Sequence, residues 1–247
     1  MHIDRAEKEQ IQLLAKILKV PNLGRYEAVL RQNDASLSYE QFLLQLMKQE
    51  VQSREANRQK RRLRAATFPF SKTLNEFDSA RFEHLDTAYV NELASCDFIS
   101  RRENIIMIGN PGRGKTHLSI ALGMKACQQG FHVKFTTAAR LANEMTEAKD
   151  SRTLTRLMKS LTKVDLLILD ELSYVSFNRH QSELLFQVIS ERSERGSIIT
   201  STNLEFSKWP ELFANEMLLT AMIDRLTFKS HVLNMNGDSS RLSRTKA

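Results

Sequence analysis

The stretch that decides the fold is Gly109-Asn110-Pro111-Gly112-Arg113-Gly114-Lys115-Thr116, followed by His117. It matches the phosphate-binding loop pattern G-x-x-x-x-G-K-[ST] at every fixed position. Glycines let such a loop turn sharply and bring backbone N–H groups close to phosphate oxygens. Lys115 is placed to reach the β- and γ-phosphates of a nucleotide, and the Thr116 hydroxyl to bind Mg²⁺. The stretch therefore predicts a nucleotide-phosphate site.

The residues on either side of the loop supply the structural context that this motif requires. Residues 104–108 form a short apolar run typical of a buried parallel strand. Residues 116–129 carry apolar side chains at helical spacing, and Gly130 is expected to end that helix. The positive end of the helix would then point at the same anion as the loop.

Further strand–helix units follow, and they predict the fold class. Apolar runs separated by amphipathic helices occur at 104–108, 132–136, 164–170, 197–203 and 231–235. Five such strands imply an α/β fold with a five-stranded parallel sheet flanked by helices on both faces. We expect this core to span residues 68–247.

Residues 1–67 are predicted to form a small all-α domain that binds DNA or a partner. The chain carries a net charge of +7, and this segment holds 13 Lys or Arg against 8 Asp or Glu. Six of its basic residues lie between Arg54 and Arg64. These basic residues indicate a helix face that binds DNA phosphates. The alternative is a solvated helix face or a linker helix.

Composition also limits the cellular setting. The sequence contains no run of 18 apolar residues, so we expect no membrane span. The charged N-terminus lacks the apolar segment of a secretory signal. Cys96 and Cys127 have no metal-ligand spacing and are interpreted as reduced thiols. We therefore expect a cytoplasmic protein without a membrane partner.

Two carboxylates follow the four apolar residues 166–169. A buried parallel strand would present Asp170 and Glu171 at its carboxyl end, where open α/β sheets bind their ligands. Asp170 is predicted to hold Mg²⁺ and Glu171 to orient or deprotonate the attacking water.

Three later residues are weaker candidates. Asn203, at the end of the next strand, could hydrogen-bond the water or the γ-phosphate, or simply terminate the strand in a turn. Arg225 could reach the γ-phosphate of a neighbouring subunit, or pair with Asp224 in its own chain. Arg241 could sense the phosphates of its own chain. Arg192 and Arg195 are predicted to be surface charges.

Together these elements resemble the AAA+ ATPases, and residues 109–117, 135–138, 165–174, 185–192 and 224–226 resemble the IstB-like family of insertion-sequence helper proteins. That family is similar to the DnaC helicase loaders. The resemblance implies an ATP-binding oligomer on duplex DNA that recruits and stimulates its transposase. It also implies a small helical N-terminal domain.

Two other functions remain open at the level of sequence. A helicase loader would act on a replicative helicase, so its partner distinguishes it from a transposition protein. A metabolic kinase would use the same phosphate loop on a small substrate. The basic N-terminal segment and the Asp170-Glu171 pair count against a kinase, which needs no glutamate to activate water.

Overall fold

The computed structural model describes residues 4–32, 38–79, 82, 85–174 and 176–236. The chain divides into two compact units, Met1–Arg61 and Arg62–Ala247. This division falls inside helix α3 (Tyr39–Ala66), whereas the sequence placed a domain boundary between 67 and 68. The end of α3 belongs with the larger unit because Leu63 and Ala66 pack in its core.

The small unit is helical in its described part. It contains α1 (Arg5–Ile17), α2 (Tyr26–Gln32) and the first part of α3. Its core is small, with Tyr26, Val29 and Leu46 buried at the centre. So few buried side chains supply little stabilisation from apolar burial.

The larger unit is built on a parallel sheet, as predicted. Its described strands are β1 (Asn104–Ile108), β2 (Val133–Thr137), β3 (Leu166–Asp170), β4 (Ser197–Thr202) and β5 (Ser230–Asn234). They lie side by side in the order β2-β3-β4-β1-β5, and every neighbouring pair is parallel. Strand β4 therefore separates β3 from β1.

Helices cover both faces of the sheet. They are α4 (Thr87–Ala94), α5 (Asp97–Ser100), α6 (Lys115–Gln128), α7 (Ala138–Asp150), α8 (Leu154–Thr162), α9 (Arg179–Arg192) and α10 (Glu216–Thr227). Successive strand side chains alternate between two cores. Ile105 and Met107 pack with α4, α5 and α6, whereas Ile106 packs with α7 to α10. Strands β1 and β3 are buried on both faces, which explains their nearly continuous apolar sequences, whereas the edge strands β2 and β5 are partly exposed.

Polar side chains fix where several helices begin. Thr137, Asn178 and Asn215 each accept a hydrogen bond from a backbone N–H in the first turn of α7, α9 and α10 respectively. Such caps satisfy N–H groups that have no partner within the helix. The short helix α5 and a 3₁₀ segment at Phe206–Glu211 were not predicted from the sequence.

None of the helices in the described ranges has the length and apolar composition that a membrane span needs. Cys96 and Cys127 are free thiols, and both are buried. Burial raises the pKa of each thiol to about 11, so both stay protonated near neutral pH.

Candidate active site

The phosphate loop, Asp170, Glu171 and Asn203 lie at the carboxyl edge of the sheet. The phosphate loop follows β1, Asp170 ends β3, and Asn203 follows β4. Because β4 lies between β3 and β1, these three segments are adjacent at one edge. This is the edge where parallel α/β sheets bind their ligands.

Two glycines are required by the geometry of the phosphate loop. A Cβ at Gly109 would lie 2.6 Å from the carbonyl oxygen of Met235, which follows β5. Gly114 adopts a left-handed conformation, with φ of 87°, and α6 begins at the next residue. The loop therefore turns directly into a helix N-terminus, whose N–H groups form an anion-binding site.

Lys115 lies over this loop. Its ammonium group donates to the carbonyl oxygens of Gly109 at 2.5 Å and Asn110 at 3.0 Å. Asn110 is itself anchored, because its N–H donates to the Asn236 side chain at 3.1 Å. The cation is thus held beside the loop that would surround a phosphate.

His117 and Phe77 contact each other beside the phosphate loop. The Nε2 atom of His117 lies 2.9 Å from the carbonyl oxygen of Thr73. The Phe77 ring meets His117 edge-on at 5.7 Å between centroids and stacks on Phe82 at 5.9 Å. Phe82 is buried in the core, whereas Phe77 contacts the phosphate loop at Gly114. The segment before β1 is therefore packed against the start of α6.

Arg113 is the remaining side chain of interest in the loop. Its Nε and Nη1 atoms are buried and have no hydrogen-bond acceptor within the part of the chain that the structure describes. Pro111, Gly112 and Thr116 complete the predicted phosphate-binding set, and all lie in the same loop or the first turn of α6.

The two carboxylates occupy different environments. Asp170 is 2% exposed, whereas Glu171 lies at the surface immediately beyond the strand. Ser201, in β4, joins them: its hydroxyl donates to Oδ1 of Asp170 and accepts from the N–H of Glu171 at 3.0 Å. Glu171 has a left-handed backbone, with φ of 57°, so the chain turns sharply after β3.

A second pair of hydrogen bonds connects Asn203 to the turn after β3. The hydroxyl of Ser173 donates to the side-chain oxygen of Asn203 and accepts from its N–H at 3.0 Å. Ser173 thereby occupies the acceptor of the Asn203 side chain, and the amide nitrogen is its donor toward a ligand.

The donor set suits Mg²⁺. A buried carboxylate at Asp170 and a hydroxyl at Thr116 are hard oxygen ligands. No cluster of three or more His, Cys, Asp or Glu side chains that could enclose a metal occurs among the described residues. Mg²⁺ is usually bound through one or two protein ligands, substrate phosphates and water, so a dedicated protein cage is not required.

Arg225 lies elsewhere, near the C-terminal end of α10. Its guanidinium lies over the Phe186 ring, 4.9 Å from the centroid, and donates to the carbonyl oxygen of Ala221 at 2.9 Å. Within the described ranges it forms no ion pair with Asp224 or with another acid. Arg241 lies outside the described residues.

Arg192 corrects one sequence prediction, because it is a core residue rather than a surface charge. It is 1% exposed, and its guanidinium donates to four carbonyl oxygens, those of Leu161, Val164, Asp165 and Ser197. Burial lowers its pKa to about 10, so it remains charged at neutral pH. Neither Ser201 nor Ser173 was predicted from the sequence to be a site residue; for Ser201, the hydroxyl run Thr200-Ser201-Thr202 at the end of β4 was the available signal.

Part of the basic segment of α3 is committed to contacts within the chain. Arg54 pairs with Glu50 at 2.7 Å, and Nε of Arg62 donates to the carbonyl oxygen of Cys127 at 2.9 Å. The other basic residues of the segment, Arg58, Lys60, Arg61 and Arg64, are exposed, and Arg58 pairs with Glu55 of the same helix at 3.7 Å. They project from one broad face of the helix.

Comparison with known proteins identifies relatives along nearly the whole chain. The family model described as IstB-like ATP binding protein matches residues 14–247. An ATP-binding protein of insertion sequence IS21 from Pseudomonas aeruginosa is 38% identical over 235 residues, which cover 94% of this chain and 89% of the relative.

Solved structures share the fold of the larger unit. AMPPCP-bound DnaA from Aquifex aeolicus aligns with a TM-score of 0.59 at 23% identity, over 73% of this chain and 55% of that chain. The DnaC helicase loader aligns with a TM-score of 0.50 at 18% identity, over 71% of this chain and 98% of that chain. At these identities the likeness concerns the fold alone.

Proposed function

The chain belongs to the IstB-like ATP binding protein family, and we propose that it assembles on duplex DNA and assists a transposase. It is an AAA+ ATPase linked to transposition, as its relatives in insertion sequences indicate. The proposal adds what ATP does: binding orders neighbouring subunits on DNA, and hydrolysis releases that arrangement.

One observation carries the proposal. The phosphate loop, Asp170, Glu171 and Asn203 lie at the carboxyl edge of the sheet, whereas Arg225 lies near its amino edge. If the ATP site uses the Arg225 guanidinium, a second copy of the chain can supply it. ATP binding and assembly would then depend on each other.

Each residue has a role in this scheme. Lys115 and the loop N–H groups bind the β- and γ-phosphates, and Thr116 and Asp170 would hold Mg²⁺. Bound Mg²⁺ would neutralise charge on those phosphates. Glu171 orients or deprotonates the attacking water, and the amide of Asn203 donates to the water or the γ-phosphate.

Arg225 of a neighbouring copy would stabilise the charge that develops on the γ-phosphate in the transition state. Its present contacts are compatible with that role. A cation over an aromatic ring with one backbone acceptor keeps unused donors for an incoming anion.

The exposed basic face of α3 is the proposed DNA contact. Arg58, Lys60, Arg61 and Arg64 would bind backbone phosphates and carry no sequence information themselves. Because the relatives belong to insertion sequences, a transposase is the proposed protein partner.

A helicase loader is the second candidate, since the larger unit shares its fold with the DnaC helicase loader. The two functions share ATP and DNA and differ in the partner. Co-purification of the tagged chain with a transposase would favour the first function, and with a hexameric helicase the second.

DNA binding tests the proposal directly. Binding to an arbitrary duplex should be strong with ATP and weak with ADP. Lys115→Ala should abolish the increase in DNA binding that ATP causes. Lys125→Ala, which changes a lysine further along the same helix, should retain that increase. Equal binding with ATP, with ADP and without nucleotide would exclude ATP control.

A further inference from the structure

We propose that Ser201 is a positioning residue of the ATPase site, which orients Asp170 toward Mg²⁺ and fixes the backbone that carries Glu171. No feature of the sequence pattern assigned it a role. The inference rests on the proposed use of Mg²⁺ at this site.

Strand register brings Ser201 to Asp170. Strands β3 and β4 pair in parallel with Leu169 opposite Thr200, so the next residues along, Asp170 and Ser201, are neighbours at the strand ends. Both side chains are 2% exposed. A carboxylate this buried needs hydrogen-bond or metal partners, because bulk water cannot solvate it.

The direction of the hydrogen bonds is determined by the groups involved. A backbone N–H can only donate, so the Ser201 oxygen accepts from Glu171. The Ser201 proton then goes to Oδ1 of Asp170. This bond fixes the orientation of the carboxylate, whose other acceptor sites can bind Mg²⁺ or water coordinated to it.

Ser201 also holds the chain as it leaves β3. Its backbone carbonyl accepts from the N–H of Leu172 at 2.9 Å, while its hydroxyl accepts from the N–H of Glu171 at 3.0 Å. Glu171 lies in the left-handed region, which a residue with a side chain rarely adopts. These two bonds therefore fix the direction in which the Glu171 side chain departs.

The competing explanation is that the Ser201 hydroxyl only stabilises the fold. Ser197, in the same strand, provides a matched control. Ser197 is fully buried at the other end of β4, and its hydroxyl donates to the carbonyl oxygen of Phe98 at 3.3 Å. Removing the Ser197 hydroxyl deletes a buried hydrogen bond in β4 far from Asp170. Only a positioning role predicts that loss of the Ser201 hydroxyl changes the Mg²⁺ dependence of nucleotide binding while loss of the Ser197 hydroxyl does not.

The test measures how binding of a fluorescent, non-hydrolysable ATP analogue depends on Mg²⁺, with hydrolysis followed in parallel. Ser201→Ala should raise the Mg²⁺ concentration at half-maximal binding by about 10-fold or more, because partners of metal ligands have effects of that size. Affinity for the analogue in EDTA should stay unchanged. Ser201→Thr, which restores a hydroxyl, should return the midpoint toward that of the natural chain.

Ser197→Ala should keep the natural Mg²⁺ midpoint. If Ser201→Ala does not fold, Ser201→Cys retains the size but weakens the donor, and should still raise the midpoint. The inference is overturned if the folded Ser201 variant keeps the natural midpoint, or if Ser197→Ala shifts it equally. A natural chain that binds the analogue without any response to Mg²⁺ would instead contradict the proposed metal use.

Discussion

The side-chain amide of Asn104 donates to the backbone carbonyl of Arg225 at 3.4 Å, which places Arg225 at the amino end of β1. The phosphate loop leaves the opposite end of that strand. Five residues of strand separate the two ends by about 13 Å. The backbone of Arg225 therefore lies at the edge of the sheet opposite the phosphate loop, as expected if this residue acts, as we propose, in the site of a neighbouring subunit.

Arg225→Ala should keep the affinity of the isolated subunit for ATP and slow hydrolysis by about 10³-fold or more, since a finger acts on transition-state charge. Mixing Arg225→Ala with Lys115→Ala should restore part of the ATPase activity. At some interfaces the intact phosphate loop of an Arg225→Ala subunit then meets the intact Arg225 of a Lys115→Ala subunit. Arg156→Ala, on the surface of α8, is the control for loss of charge. No recovery in mixtures shown to co-assemble would argue for a structural Arg225.

Glu171→Gln should bind ATP normally and hydrolyse it on the order of 10²-fold more slowly, because an amide cannot accept the proton of the attacking water. Complexes with DNA should last longer as a result. Glu205→Gln, an exposed carboxylate beyond β4, should hydrolyse ATP at the natural rate. Single-turnover hydrolysis and DNA dissociation measure both effects; an undiminished rate in Glu171→Gln would remove this residue from the chemistry.

Changing Arg58, Lys60 and Arg61 together to Gln should weaken binding to unrelated duplexes to a similar extent. Each lost phosphate contact should reduce the slope of log affinity against log salt by about 0.9. A charge-matched control changes Arg156, Lys159 and Lys163 to Gln on the larger unit. If the control flattens the slope and the α3 variant does not, the DNA contact lies in the ATPase unit.

Arg192→Met should lower the free energy of unfolding by on the order of 3 kcal/mol, because buried carbonyl oxygens lose their donor. Arg195→Met, three residues further along and exposed, should change stability little. Urea denaturation of the two variants provides the comparison. Equal stability of the two variants would show that the four carbonyl contacts of Arg192 contribute little.

The sequence was sufficient where the chemistry is local. The phosphate loop occupies consecutive residues, so its pattern and its flanking strand and helix could be recognised together. The central strands β1 and β3 were predictable because both of their faces are covered, which makes each a nearly continuous apolar run. The Asp170-Glu171 pair followed because it ends such a run.

Contacts that depend on strand register or on the end of a long side chain could not be predicted. Ser201 meets Asp170 only because β3 and β4 pair as they do, across a helix of intervening sequence. From the sequence Arg192 is a polar residue at a helix end, yet its guanidinium donates to one carbonyl in α8 and to three near the starts of β3 and β4. The hydrogen bond from Arg62 to the Cys127 carbonyl could not be predicted from the charge pattern either.

The central claim is that ATP controls assembly on duplex DNA, and the mass of the particles formed there tests it most directly. Single-particle mass measurements on one duplex should show large assemblies with ATP, and small ones with ADP or without nucleotide. Lys115→Ala should give small particles in all three conditions. Particles of the same mass in every nucleotide state, or large assemblies of Lys115→Ala, would contradict the account.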